Sequence, residues 1–242
     1  MSGHSKWAQI KRQKGINDTK RGAQFTKLSN AISLAVRAGG GIGDPNQNFR
    51  LRLTIDAAKA ANMPKDNIER AIERALGKQG MQLEETVYEG FGPGGIAVIV
   101  EAATDNKNRT TSEVQNIFNK LGGNMGQMGS VGYLFNQRGQ IIVAKNGKSF
   151  DEIFEKALEG GAEDIEESGD EVMVYTKPVE LAKVRDALSQ VGFSVISADI
   201  IRKPLISKPF SDEATIEKVT HFFDALEALD DVQNTYSDFE IQ

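Results

Sequence analysis

A chain of 242 residues, 39% hydrophobic and 26% charged, has the composition of an ordinary globular protein, with length for two or three domains and no bias towards disorder. It holds no cysteine and two histidines, which excludes disulfides, thiol nucleophiles and Cys-based metal centres and leaves too little imidazole for a His-based one. The net charge of −5 conceals a split: residues 1–80 carry 15 lysines and arginines against six acids, a net +9, and residues 81–242 carry 14 against 28, a net −14.

The front is the most basic part. The stretch "GHSKWAQIKRQKGINDTKRGAQFTK", Gly3 to Lys27, holds Lys6, Lys11, Arg12, Lys14, Lys20, Arg21 and Lys27 against one acid, Asp18. Gly15, Asn17 and Asp18 interrupt any amphipathic helix at its start, so it reads as a basic arm and not as a mitochondrial presequence. From Asp18, a plausible N-cap, Phe25, Leu28, Ile32 and Val36 recur at helical spacing up to a stop at Gly39. "GGGIGDPN" is a turn with Asp44 as cap and Pro45 at a permitted first helical position; Leu51, Ile55 and Ala58 then share a face up to Asn62. "NMPKDNIERAIERALG" predicts a third helix opening at Pro64, with Ile68, Ile72 and Leu76 inward and Gly77 terminal. Three short helices behind a basic arm suggest one helical domain over residues 1–80.

Beyond "LGKQGMQ" the pattern alternates. "GIAVIVEAA" reads as a buried strand, "NRTTSEVQNIFNKLG" as a helix capped by Asn108 or Thr110, and "SVGYLFN" as a strand. "GQIIVA", "FDEIFEKALEGG", "AEDIEES", "EVMVYT", "PVELAKVRDALSQVG" and "FSVISADIIR" follow as strand, helix, strand, strand, helix, strand, the ferredoxin-like order. The tail adds a helix, "ATIEKVTHFFDALEAL", with Ile216, Val219, Phe223 and Leu226 inward, and a last strand, "DVQNTYSDFEI". That tail needs a sheet, and residues 82–135 hold one short of a partner. The economical division is a discontinuous α+β domain of residues 81–136 plus 204–242, interrupted by an inserted α+β domain of residues 137–203.

Most catalytic patterns fail on context. "GFGPGG" fits G-x-G-x-x-G, but a dinucleotide fingerprint opens a helix, and these glycines lead into a strand; a tight strand-to-strand turn is the better reading. "GKS" at Gly147 to Ser149 lacks its phosphate-loop glycine, Ile142 standing there instead. The acids Glu163, Asp164, Glu166, Glu167, Asp170 and Glu171 read as a solvated, repelling surface, and His221 as a structural residue beside a helix stripe. No catalytic, cofactor or metal residue is expected. What survives is the positive charge. Lysines and arginines on an arm and along helices neutralise phosphates in a sequence-independent, salt-sensitive way. Arg37, Arg50, Arg52, Lys65 and Arg70 extend the surface; His4 and Trp7 are candidates to stack on or touch a base or sugar, with Trp7 reading alternatively as the anchor of the arm on the helical bundle. Lys107 and Arg109 form a second cluster at a helix N-terminus, a place favourable to anions.

The segments "GHSKWAQIKRQKGINDTKRGAQFTKL", "NMPKDNIERAIERALG", "YEGFGPGGIAVIVEAATDNKNRTTSEV" and "GGNMGQMGSVGYLF" closely resemble the YebC family, which includes the mitochondrial translational activators of cytochrome oxidase. The likeness extends to "GAEDIEE", "KVRDAL" and the closing "DDVQNTY". It implies an α+β fold of three domains: an N-terminal three-helix domain, then two ferredoxin-like-type α+β domains, the third inserted into the second. It implies no established catalytic residues and no cofactor. For bacterial members it implies a DNA-binding transcriptional regulator. For the mitochondrial relatives, and some bacterial ones, it implies a ribosome-associated, RNA-binding translation factor that assists synthesis of particular proteins, proline-rich ones among them. Lys107 stands where the family usually has arginine, and Phe91 where it has tyrosine. The expectation is a cytoplasmic, non-enzymatic regulator whose partner is DNA or RNA, with no membrane and no small-molecule substrate.

Overall fold

The computed structural model describes residues 18–77 and 83–242, with side chains from residue 22 onward in the first stretch. Among the described residues three helices come first: α1 (Asp18–Ala38), α2 (Phe49–Ala60) and α3 (Lys65–Leu76). Their apolar stripes meet in one core of Ile32, Val36, Leu51, Ile55, Ile68 and their neighbours. The buried Asn48 links two of them. Its side chain caps α2 by accepting from the Leu51 N–H, and its amide donates to the Ala35 and Ile42 carbonyls at 2.8 and 3.0 Å. Asp44 is therefore not the helix cap. It organises the preceding turn, accepting from the Asn46 N–H at 2.9 Å, and Pro45 lies outside the helix. Leu76, expected inward, is half exposed at the end of α3, where it covers Gly43.

The second unit is built on β1 (Glu84–Phe91) and β2 (Ala97–Thr104), an antiparallel hairpin in register from Glu84↔Thr104 to Phe91↔Ala97. At its turn the Gly92 N–H donates to the Ile96 carbonyl at 2.8 Å, and Gly94 and Gly95 take φ of +72° and +69°. That left-handed backbone requires glycine, which explains the glycine cluster by a turn between strands. α4 (Lys107–Lys120) follows, and β3 (Asn124–Met125) returns to the β1 edge. There a Cβ on Gly90 would stand 2.5 Å from the Asn124 carbonyl. The sheet order is β3-β1-β2-β9. β9 (Val232–Ser237) comes from the tail, after β8 (Lys208–Phe210) and α7 (Glu213–Glu227). The last stretch is not one strand: it breaks at Asp238, and β10 (Phe239–Ile241) pairs with β8 in a separate parallel two-stranded sheet. α4 and α7 cover one face through Val114, Phe118, Val219, Phe222 and Leu226, with Phe118 and Phe222 edge-to-face at 5.0 Å.

β4 (Phe135–Ala144) and β7 (Ser194–Pro204) are long and paired along their whole length, from Phe135↔Pro204 to Ala144↔Ser194. The expected strands "SVGYLFN" and "GQIIVA" therefore merge: Gly132–Leu134 is a 3-10 turn and one strand runs on from Phe135. Chain leaves and returns along this ribbon, which crosses the expected boundaries at 136/137 and 203/204. Between its strands lie α5 (Phe150–Gly160), β5 (Asp164–Ser168), β6 (Glu171–Thr176) and α6 (Leu181–Gln190), with sheet order β5-β6-β4-β7. This is the ferredoxin-like arrangement, antiparallel throughout. Its core joins Ile141, Val143, Ile153, Val174, Val184 and Leu188, and Phe49 and Leu53 of α2 pack against it.

Candidate nucleic-acid interface

His4, Lys6, Trp7, Lys11, Arg12 and Lys14 lie outside the described residues, and Lys20 and Arg21 are described only as backbone in the first turns of α1. Lys65 and Arg70 stay on α3. The Lys65 ammonium is 3.4 Å from Glu69, and Arg70 donates to the Asp66 carbonyl at 3.1 Å and to the Asn67 side chain. Three exposed acids, Asp66, Glu69 and Glu73, share that helix with them.

Lys27, Arg37, Arg50 and Arg52 reach across to the rest of the chain. Lys27 donates to the Glu227 carbonyl at 2.6 Å and Arg37 to the Leu83 carbonyl at 3.3 Å. Arg50 pairs with Glu85, both side chains half exposed. Arg52 has a guanidinium nitrogen 3.9 Å from Asp186, while its buried Nε makes no hydrogen bond with any described residue. In return Arg185 of α6 comes within 3.5 Å of Asp56 on α2, and it holds Asp186 Oδ1 through Nε at 2.9 Å and Nη2 at 2.6 Å. Arg52 and Arg185 both lie over the Phe49 ring, at 5.4 and 5.6 Å from its centroid. Beside this seam runs a crevice of about 390 Å³ lined by Leu53, Asp56, Arg185, Asp186, Val195 and Asp199 among others. Of the seam residues, Arg185 and Asp186 fall in the segment "KVRDAL", while Glu85 lies outside every segment quoted for the family likeness; none of the three stood among the candidate contacts.

Lys107 and Arg109 do stand at the start of α4, but the cap is Asn106, not Asn108 or Thr110. The reason is Thr104, whose hydroxyl accepts from the Asn106 N–H at 2.9 Å and holds that residue at the cap. Thr110 turns inward instead. It is fully buried and donates to Asp231 Oδ2 at 2.6 Å, the oxygen that also accepts from Arg109 at 2.6 Å and from Thr104 at 3.2 Å. Burial pushes the Asp231 carboxyl up, but the donations from Thr110, Arg109 and Thr104 outweigh it and hold the pKa below the ordinary value. Arg109 is raised in turn, first by its bond to Asp231 and then by Asp105 at 3.0 Å. Arg109 thus ties α4 to the residue before β9, while Lys107 stands exposed at the first helical position.

Glu89 is the deepest acid in the second unit, 7% exposed on the sheet face away from α4 and α7. Its Oε2 accepts from the Val131 and Gly132 N–H groups at 2.8 and 2.7 Å. Burial pushes this carboxyl up, yet the backbone donors at Gly129, Val131 and Gly132 hold it below its usual value, with Arg202 adding a smaller pull. The "GGNMGQMGSVGYLF" loop is therefore pinned to β1. The acids on and beside β5 are not a bare repelling face. Asp164 and Glu166 sit 2.8 and 2.9 Å from the Lys203 ammonium, Glu163 pairs with Arg138, and Glu167 with Lys145. His221 is exposed on α7, not part of its packed stripe. No helix among the described residues is long and apolar enough to cross a membrane.

The chain matches two family models: "TACO1/YebC protein N-terminal domain" over residues 5–78 and "TACO1/YebC second and third domain" over residues 83–239. A protein of Trichlorobacter lovleyi named probable transcriptional regulatory protein is 50% identical over 242 residues, covering 100% of this chain and 96% of its own. One of the same name from Persephonella marina is 48% identical over 243 residues, again covering 100% of this chain and 96% of its own. Among solved structures, the crystal structure of a conserved hypothetical protein from Aquifex aeolicus superposes with a TM-score of 0.86 at 46% identity, covering 93% of this chain and 92% of that one.

Proposed function

The chain belongs to the TACO1/YebC family, and on that premise we propose that it is a non-enzymatic, nucleic-acid-binding regulator of gene expression, acting on DNA as a transcriptional regulator in the cytoplasm. The observation that carries this reading is the charge split, +9 over residues 1–80 against −14 over residues 81–242. Charge so segregated raises the local potential at one end and favours a polyanion there. The names of the relatives support the regulatory class. The candidate phosphate contacts of the front are Lys6, Lys11, Arg12, Lys14, Lys20 and Arg21; among the described residues Lys107 stands exposed, whereas Arg109 is committed to Asp231.

A second reading, an RNA-binding translation factor on the ribosome, is favoured by one specific feature. The exposed Asp66, Glu69 and Glu73 of α3 are ill suited to lying in a major groove, so a helix-in-groove DNA reader is a poor description of this helical unit. Sedimenting lysate through sucrose at low and moderate salt separates the two readings, comparing wild type with a variant in which Lys11, Arg12, Lys20 and Arg21 are changed to Glu. Promoter binding in vitro without ribosomal comigration supports the transcriptional reading. Comigration lost in the variant supports the translational one. A wild type that binds neither duplex DNA nor RNA overturns both.

A further inference from the structure

We propose that Arg50 and Arg52 of α2 form a phosphate-binding surface that the chain's own carboxylates, Glu85 and Asp186, occupy until a nucleic-acid backbone displaces them. This rests on the nucleic-acid reading above and adds how that surface is regulated: the closed seam is self-inhibited, and polyanion binding lifts α2 from the inserted unit.

Chemistry makes the exchange natural. A guanidinium presents a planar fork that fits a carboxylate and a phosphate alike, so Glu85 and Asp186 stand in the positions phosphate oxygens would take. The internal partners use that fork poorly. Arg52 sits 3.9 Å from Asp186 Oδ2, beyond hydrogen-bond length, while Arg185 holds the other oxygen, Oδ1, through two nitrogens. Its Nε is buried and makes no hydrogen bond with any described residue, a deficit an incoming phosphate oxygen can fill. Arg50 and Glu85 are each half exposed, so their pair is screened by salt and open to competition.

The surrounding seam is built to part. Its apolar share is the partly buried Phe49 and Leu53 against the inserted core, and the crevice of about 390 Å³ beside them leaves α2 and α6 incompletely packed. Polar, modest interfaces of this kind between units of one chain permit relative motion. Asp56, the carboxylate facing Arg185, belongs to α2 and would leave with it.

The test uses the full chain. A labelled single-stranded RNA and a labelled DNA duplex are titrated with wild type, with E85Q/D186N, and with E217Q/D224N, which removes the same charge from exposed positions of α7 away from the seam. The seam variant is expected to bind about threefold tighter than wild type, by release of one exposed and one partly buried competing pair, and the α7 variant to gain less. Equal gains in the two variants overturn the proposal. Because the chain has no cysteine, D66C on α3 and E155C on α5 accept a unique pair of spin labels. Their separation should lengthen on saturation with whichever oligonucleotide binds, and an unchanged separation overturns the proposal. If wild type binds neither probe, it is the reading of the preceding section that has failed, an outcome distinct from binding without seam opening.

Discussion

Arg50 and Arg109 look alike in the sequence and differ in the fold. Each lies in the first turn of a helix, each is a candidate phosphate contact, and each meets a carboxylate from a distant stretch, Glu85 at 35 residues and Asp231 at 122. Glu85 is half exposed. Asp231 is 12% exposed, and its Oδ2 also accepts from two buried threonines. An exposed pair contributes little and yields to salt, whereas an enclosed carboxylate that loses its arginine is left as a buried charge without its counter-ion. Burial of the acid, not the identity of the base, separates an exchangeable cation from a structural one.

The largest effect expected from this contrast comes from Asp231→Ala. It removes the acceptor that Thr104, Thr110 and Arg109 share, leaving Arg109 only Asp105 and Thr110 the Asn106 carbonyl, and should destabilise the chain by about 2–4 kcal/mol, read as a lower urea midpoint. A midpoint unchanged from wild type would erase the distinction between the two arginines. Glu89→Gln sharpens the comparison with a second buried acid: about 1–3 kcal/mol is expected, with faster amide exchange at Val131 and Gly132.

The pH dependence has a definite sign. Asp231 and Glu89 are both held below their ordinary values of 3.8 and 4.5, so the folded state binds protons less readily than the unfolded one. The stability they contribute is present above those ordinary values and is lost as pH falls through the lowered folded ones. The gap in midpoint between wild type and Asp231→Ala should therefore narrow as the solution is acidified below about pH 4, the usual aspartate range. A gap that widens on acidification would contradict the assignment. The smallest stability effect belongs to Arg50→Gln, below about 1 kcal/mol and fading as salt rises. In the basic front, single Lys→Ala changes such as Lys11→Ala should lower the salt slope of nucleic-acid binding by about one unit, equally on all sequences.

Helix stripes were legible because their period is local: Ile32, Val36, Ile68 and Val219 are buried as their spacing predicts. Boundaries were less so. Leu76 continues the α3 period, but the core ends before it does. The cap of α4 lies among several residues able to serve, and Thr104 selects Asn106 from outside the helix. β8 carries proline at its middle position and pairs with β10 in parallel, a contact between segments about 30 residues apart that no periodicity announces. For the interface, the cations were visible as residue types. Their partners were not, because ion pairs such as Arg50–Glu85 and Arg185–Asp56 follow from which units touch.

From its own order of residues the chain determined its helical stripes, its turn glycines, the strand and helix order of the inserted unit and the uneven spread of its charge. These depend on neighbours within a few positions or on simple sums. Only the tertiary structure decided that Arg109 meets an enclosed acid, Asp231, while Arg50 meets a half-exposed one, and that β4 and β7 pair as one long ribbon within the sheet of the inserted unit. Burial and pairing across long separations are set by packing, and packing is a property of surfaces brought together in space.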